Sequence, residues 1–326
     1  MATETTERQG YFTGWTPKTE GIIAPDERLP WGQTIFVGLQ HVLAMFGSTV
    51  LGPILMGFDP NTAIFFSGVG TLLFFLVVGG RVPSYLGSSF SFIAVVLVAT
   101  GFASGYKGTG INPHIGVALG GIIAAGVVYA IIGLIVMFSG YRWIEFLMPP
   151  VVTGAVVAVI GLNLAPVAVS DASASSFDTV MAIITVLAVA AVAVYFPGPL
   201  RRLPILLGGI IGYIVYLIFA NGLNLGKAID FSGVAKADWI GLPHISTPTF
   251  DGGAMSLIAP VAIILVAENT GHVKAVAAMT GRNLDKYLGR AFLGDGLATI
   301  VSGFFGGTGV TTYAENIGVM AVTRIY

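Results

Sequence analysis

The chain of 326 residues contains no cysteine. That excludes a disulfide framework, a thiol nucleophile and a cysteine-built metal site. Charge is scarce: Asp, Glu, Lys and Arg make up 10% of the residues, against roughly 25% in a soluble domain. Enzyme signatures are missing too, with no His-Glu-x-x-His pair and no Gly-x-Ser-x-Gly elbow. The glycine-rich GGTG at 306–309 lacks the lysine and following Ser/Thr of a phosphate-binding loop. No basic stripe offers a nucleic-acid surface. The N-terminal thirty residues are polar and mixed in sign, without the apolar core and cleavage site of a secretory signal. They read as a cytoplasmic tail ending near an interfacial Trp31.

What fills the chain is apolar. Hydrophobic residues make up 55% of it, with 45 glycines, and the mean hydropathy is +0.87. Apolar runs of about 20 residues, each long enough for a hydrocarbon core about 30 Å thick, recur along it. Ten candidate spans follow, at about 34–57, 61–80, 84–104, 115–140, 147–169, 177–196, 203–221, 256–279, 287–305 and 311–326. Pro149 and Pro150 interrupt the start of the fifth. The expectation is an all-α polytopic membrane protein. If the spans alternate, Arg8, Lys18, Arg28, Arg81, Arg142, Arg201, Arg202, Lys274, Arg282, Lys286, Arg290 and Arg324 share one side, leaving Lys107, Lys227 and Lys236 on the other. That bias places the N-terminus in the cytoplasm.

Two stretches depart from plain helix: VPSYLGSSFSF after Arg81, and FGGTGVTTYAEN at 305–316. Ser88-Ser89-Phe90 and Thr311-Thr312-Tyr313 match in chemistry, two hydroxyls followed by an aromatic. One opens the third span and the other the tenth, so the second copy would be inverted in the membrane. Inverted repeats whose broken segments meet at mid-bilayer are a common way to build a transporter's substrate site. Non-helical backbone is tolerated there only inside protein or along a cavity.

Ionisable groups within spans cost about 2.5–3.5 kcal/mol each on insertion scales, so each needs a reason. In VAENTGHVK, Glu268 and His272 are four residues apart on one helical face. They admit three readings: a buried pair joining helices, two ligands of a metal, or a substrate or proton site. Glu315 suits the N-terminus of a half-helix as a cap, and equally a binding role there. His41, in GLQHVLAMFGST, reads as structural or functional. Asp295, in LGDGLAT, reads as structural, bonding backbone at a helix end. Phe90 and Tyr313 are packing residues or a platform for a flat ligand. Central acidic groups argue against an anionic substrate, which would want Arg or Lys.

ENIGVMAVTR, Glu315 to Arg324, matches at every fixed position the signature [Q/E/P]-N-x-G-x-x-x-x-T-[R/K/G]. On this the chain resembles the nucleobase–ascorbate transporter family. Gln40-His41 looks like that family's Gln-His motif, and YLGSSFSFI, VAENTGH and LGDGLATIVSGFFGG resemble stretches of bacterial uracil permeases. The likeness runs from about Trp31 to Tyr326. It implies two inverted seven-span repeats, with the third and tenth segments part strand and part helix. It further implies a core domain (34–140 and 256–326) moving against a gate domain (141–221), after a tail over 1–33. Fourteen spans in the family against ten here lead to the expectation of a truncated chain.

By the same resemblance, the substrate site would gather Glu268, Glu315, Phe90, Tyr313, Ala314 and Ser48. His272 would join Glu268 in proton coupling, with His41, Gln40, Asn316 and Asp295 in support. Ala314 stands where uracil permeases carry glycine, and Ser48 where one member carries alanine. A glutamate at the first signature position resembles uracil-type members, whereas purine-type ones tend to carry glutamine. A carboxylate accepts N–H, and a carboxylic acid both donates and accepts, which suits the edge of uracil. The expectation is proton symport of uracil or a related pyrimidine, with no cofactor besides the coupling proton, by a homodimer in the bacterial inner membrane. Xanthine or uric acid symport, sulfate-type anion transport on the same fold, and a membrane enzyme or receptor are the alternatives.

Overall fold

The structure, a computed structural model, describes residues 10–102, 111–197, 204–237 and 241–326. Of the basic residues used above, Arg8, Lys107, Arg201 and Arg202 lie outside the described residues. The N-terminal part holds β1 (Thr16–Pro17) and β2 (Glu27–Arg28), paired in parallel. Then come α1 (Trp31–Met56), α2 (Pro60–Val78), β3 (Leu86–Ser88), a 3-10 turn (Phe90–Phe92), α3 (Ile93–Thr100) and α4 (Ile115–Ser139). The middle contains α5 (Arg142–Leu147), α6 (Pro150–Ala172), α7 (Ser176–Tyr195), α8 (Pro204–Leu217) with a π turn (Ile218–Gly222), and α9 (Ser232–Lys236). The rest is α10 (Gly252–Ile258), α11 (Val261–Thr280), α12 (Leu288–Phe304), β4 (Val310–Thr312) and α13 (Ala314–Thr323).

Local chemistry sets many of these ends. The Asp59 carboxylate accepts from Asn61 N–H and Pro60 takes the first helical position of α2, where its missing N–H costs nothing. Ser175 and Asp251 cap α7 and α10 in the same way. Gly57, at φ 74°, closes α1 in the left-handed conformation and returns its N–H to Ile54 O. Pro149 and Pro150 form the start of α6 rather than a break within it.

Every apolar window of the sequence holds a helix, though the third and tenth hold one only after a strand. Among the described residues, five helices are long and apolar enough to cross a membrane: Trp31–Met56, Pro60–Val78, Ile115–Ser139, Ser176–Tyr195 and Gly252–Thr280. Large apolar side chains such as Phe36, Leu72, Phe138 and Leu187 point outward, an arrangement suited to lipid tails. The chain is a multi-pass, mostly helical membrane protein.

Between helices that lipid surrounds on other sides, association relies on close packing, and small residues permit it. α4 and α12 show this along a seam of glycines. A Cβ on Gly133 would fall 2.5 Å from Leu293 N, and one on Gly296 2.6 Å from Ala130 N. Gly126 and Gly289 are equally closed, and Gly294 abuts Phe74 of α2. Gly133→Ala and Gly296→Ala should each destabilise the protein by about 1–3 kcal/mol through overpacking, read as a lower melting temperature in detergent. Gly154→Ala, with nothing within 4 Å of the new Cβ, should leave it unchanged. A Gly133→Ala protein as stable as the parent contradicts the seam.

Candidate functional site

β3 and β4 pair antiparallel, Leu86 opposite Thr312, Gly87 opposite Thr311 and Ser88 opposite Val310. Ser89 N–H donates to Gly309 O at 2.8 Å and Tyr313 N–H to Tyr85 O at 3.0 Å, extending the ladder. The first residue of each strand is also served by a threonine of the preceding helix. Leu86 N–H donates to Thr71 Oγ1 of α2 at 3.0 Å, and Val310 N–H to Thr299 Oγ1 of α12 at 3.2 Å. Both hydroxyls also point at the carbonyl of the same residue. Two short strands are thereby satisfied deep among helices.

Each strand runs directly into a helical turn. The N-caps are Ser89 and Tyr313, both extended with ψ 127°. Strand ends therefore align Ser89 with Tyr313 and Phe90 with Ala314. The likeness of Ser88-Ser89-Phe90 to Thr311-Thr312-Tyr313 is one residue out of this register, because residue types alone do not mark where a strand stops.

Three neighbours hold the crossing. From α1, Ser48 Oγ donates to Glu315 Oε1 at 2.5 Å, and Thr49 Oγ1 to the Tyr313 hydroxyl at 3.3 Å. The Tyr313 hydroxyl donates to Ser88 O at 2.8 Å, and its buried ring covers Gly87, where a Cβ would lie 2.3 Å from Cζ. Only glycine fits there. Gly52 of α1 packs on Phe90, with the Cβ position 3.3 Å from the ring.

From α11, Glu268 accepts from Ser91 Oγ at 3.4 Å, and His272 Nδ1 meets Thr312 Oγ1 at 2.8 Å. The two share a helical face but do not bond each other: Glu268 reaches the first broken segment and His272 the second. Three carboxylates stand around the crossing: Glu268, Glu315 of α13 and Asp295 of α12. None of the ion pairs among the described residues involves these three carboxylates.

From α12, Asp295 is wholly buried. It sits in mid-helix, against the expectation of a helix end. The glycines beside it are packing surface for α2 and α4 rather than a break in the helix. Asp295 accepts from Asn269 Nδ2 and lies 3.4 Å from the Tyr129 hydroxyl of α4. Asn269 also donates to that hydroxyl at 2.9 Å, and Asp295 lies against the backbone of Thr312. It joins three helices to the second strand.

The remaining candidates lie at the start of α13 and on α1. Asn316 Nδ2 donates to His41 O at 3.1 Å and meets His41 Nδ1 at 3.0 Å. Gln40 is half-buried beside it and makes no side-chain hydrogen bond to the described residues. Ala314 is exposed as the first residue of α13. Its N–H and those of the next residues have no intrahelical acceptor, and the helix start favours negative charge. The residue-level reading missed Ser91, Thr49, Thr312, Asn269 and Tyr129. All but Tyr129 carried a signal, as polar neighbours in sequence of residues already chosen.

The site thus offers carboxylate acceptors, free backbone donors and the Phe90 ring around one crossing, an arrangement for a flat ligand bearing both donors and acceptors. Comparison with known proteins agrees with a transporter. Residues 32–326 match a family described as a permease family. The chain is 64% identical over 319 residues to a protein of Escherichia coli (strain K12) named "Putative pyrimidine permease RutG", covering 97% of this chain and 71% of that one. It is 42% identical over 318 residues to a uracil permease of Escherichia coli (strain K12), covering 94% and 70%. To a uracil permease of Bacillus subtilis (strain 168) it is 37% identical over 306 residues, covering 88% and 66%. With the signature at Glu315–Arg324 and a match over nearly its whole length, the chain belongs to this permease family, that of the nucleobase–ascorbate transporters.

Proposed function

We propose that this protein is a secondary transporter, not an enzyme, that imports uracil or a related pyrimidine nucleobase by proton symport. The observation that carries it is Glu315, placed at the start of a half-helix beside a strand crossing whose other segment Glu268 reaches through Ser91. Relatives named uracil and pyrimidine permeases support the substrate class. Glu315, with one oxygen bonded to Ser48, accepts a ring N–H on the other. Glu268, in its protonated or proton-sharing form, meets the ring edge. The free N–H of Ala314 donates to a ring carbonyl, and Phe90 flanks the ring while Tyr313 braces the floor. His272 tunes the proton. His41, Asn316 and Asp295 hold the helices that carry these groups, with Gln40 beside them.

The same reading covers the architecture. The matching service of Leu86 by Thr71 and of Val310 by Thr299 supports α2–β3–α3 and α12–β4–α13 as equivalent parts of two inverted seven-span repeats. A core of 34–140 and 256–326 would then move against a gate of 141–221. The transporter works as a homodimer in the bacterial inner membrane, with its N-terminus in the cytoplasm.

Vesicles carrying the protein should accumulate radiolabelled uracil when the outside is made acidic, with xanthine and sulfate competing poorly. Retained sulfate transport without nucleobase binding overturns the reading. Glu268→Gln should abolish accumulation driven by the pH gradient, and undiminished accumulation in that variant sinks its role. Glu315→Ala removes an acidic side chain whose hydrogen bond to the ring is worth roughly 1.5–3 kcal/mol. The KM for uracil should therefore rise about 10- to 100-fold, measured by initial uptake rates at equal membrane content.

A further inference from the structure

The N-terminal segment Gly10–Leu29 is not a loose tail. It lies across the ends of four helices and is tied to each. The Tyr11 hydroxyl donates to Val77 O at 2.6 Å and Thr13 N–H to Gly79 O at 3.2 Å, at the end of α2. Arg81 donates to Gly10 O at 2.5 Å, and Asp26 pairs with Arg282 after α11 at 2.7 Å. Arg290 of α12 stands over the Tyr11 ring at 4.9 Å. Beyond α13, Ile23 N–H donates to Arg324 O at 3.0 Å and Tyr326 N–H to Ile23 O at 2.9 Å.

This strap roofs a cavity of about 350 Å³, within the range of small-ligand sites, about 300–1,000 Å³. Its walls are apolar, with rings from Trp15, Trp31, Phe75 and Tyr85, and Glu27, Arg28 and His41 supply polar groups. Arg28 lies over the Trp31 ring at 4.8 Å and Trp15 packs tilted against Phe75 at 5.8 Å, so the roof is fixed by ring contacts as well as hydrogen bonds. One end of the cavity touches the carboxylate site. His41 lines it while its Nδ1 meets Asn316, the residue after Glu315. Tyr85, another lining residue, accepts from Tyr313 N–H at the strand crossing.

We propose that this cavity is a second, weaker binding site for the transported planar heterocycle, a waypoint at the mouth of the carboxylate site with His41 between the two. Flat aromatic walls bind a ring by stacking, and the few polar groups orient it. The carboxylate in its lining, Glu27, is taken up by Lys18 and the Ala24 N–H, so the waypoint holds its ligand less tightly than the crossing and lets it pass. The inference rests on the nucleobase reading of the carboxylate site.

The absence of cysteine makes the test direct. Val37 and Thr34 line the cavity from α1, so Val37→Cys and Thr34→Cys each give one thiol there. The protein is placed in nanodiscs, radiolabelled uracil binding is measured first, and the rate of alkylation by N-ethylmaleimide is then followed with and without uracil. Excess uracil should slow alkylation at least threefold, at concentrations above those that saturate the carboxylate site. The protection should persist when Glu268→Gln is added. Trp31→Ala should weaken it and Trp31→Phe should keep it. Uracil binding with no protection at either thiol overturns the waypoint, as does protection that vanishes with Glu268→Gln, which would report movement from the carboxylate site. Thiols blocked equally with and without uracil point to lipid in the cavity, which also overturns it. No uracil binding to the parent protein instead overturns the proposed substrate.

Discussion

The pairing of β3 with β4 is the constraint on which the rest of the site depends. Away from water, an unsatisfied backbone group costs several kcal/mol, so extended backbone survives only where every N–H and C=O finds a partner. Three residues on each side pair with each other, and Thr71 and Thr299 satisfy the strand starts from two different helices. Once that is done, both segments must turn into helices at the crossing, and two helix starts come to lie side by side, the first capped by Ser89 and that of α13 with free N–H groups. Binding capacity is a consequence of the way the backbone is satisfied.

The charges are placed with the same economy. Two neighbouring carboxylates repel unless a proton or a hydrogen-bond donor stands between them. Glu268 and Glu315 both stand at the crossing, and no ion pair among the described residues neutralises either. Ser48 and Ser91 each occupy part of one carboxylate, leaving the rest of it for a ligand. An arginine in their place would have satisfied the pair permanently. Hydroxyl partners leave the site waiting for a donor.

Much of this was legible in the residues. Hydropathy located helices to within a few positions, as 287–305 against Leu288–Phe304, because an apolar run and its glycine or proline ends are local properties. The two broken segments were legible from Ser, Gly and Thr in otherwise apolar surroundings. Partners were not. Spacing puts Glu268 and His272 on one face, but only the packing decides that the first meets Ser91 and the second Thr312. Asp295 misled for a related reason. Glycine beside a polar residue signals a helix end in water, whereas Gly294 and Gly296 are there because Phe74 and Ala130 leave no room for a Cβ. The N-terminal segment had no apolar pattern to mark it, and its folding over α2 and α13 comes from backbone contacts that composition does not carry.

That glycine seam also explains how a buried carboxylate comes to be tolerated. Tyr129 lies between Gly126 and Gly133 on α4, and Asp295 lies beside Gly296 on α12. The helices touch at backbone distance on either side of this level, which brings the Tyr129 hydroxyl within 3.4 Å of the carboxylate. Asn269, from the residue after Glu268, closes the group. Larger residues along the seam would part the helices, draw the hydroxyl away and leave Asp295 without one of its donors. The packing of two helices and the partners of Asp295 are therefore one problem, solved at one set of positions.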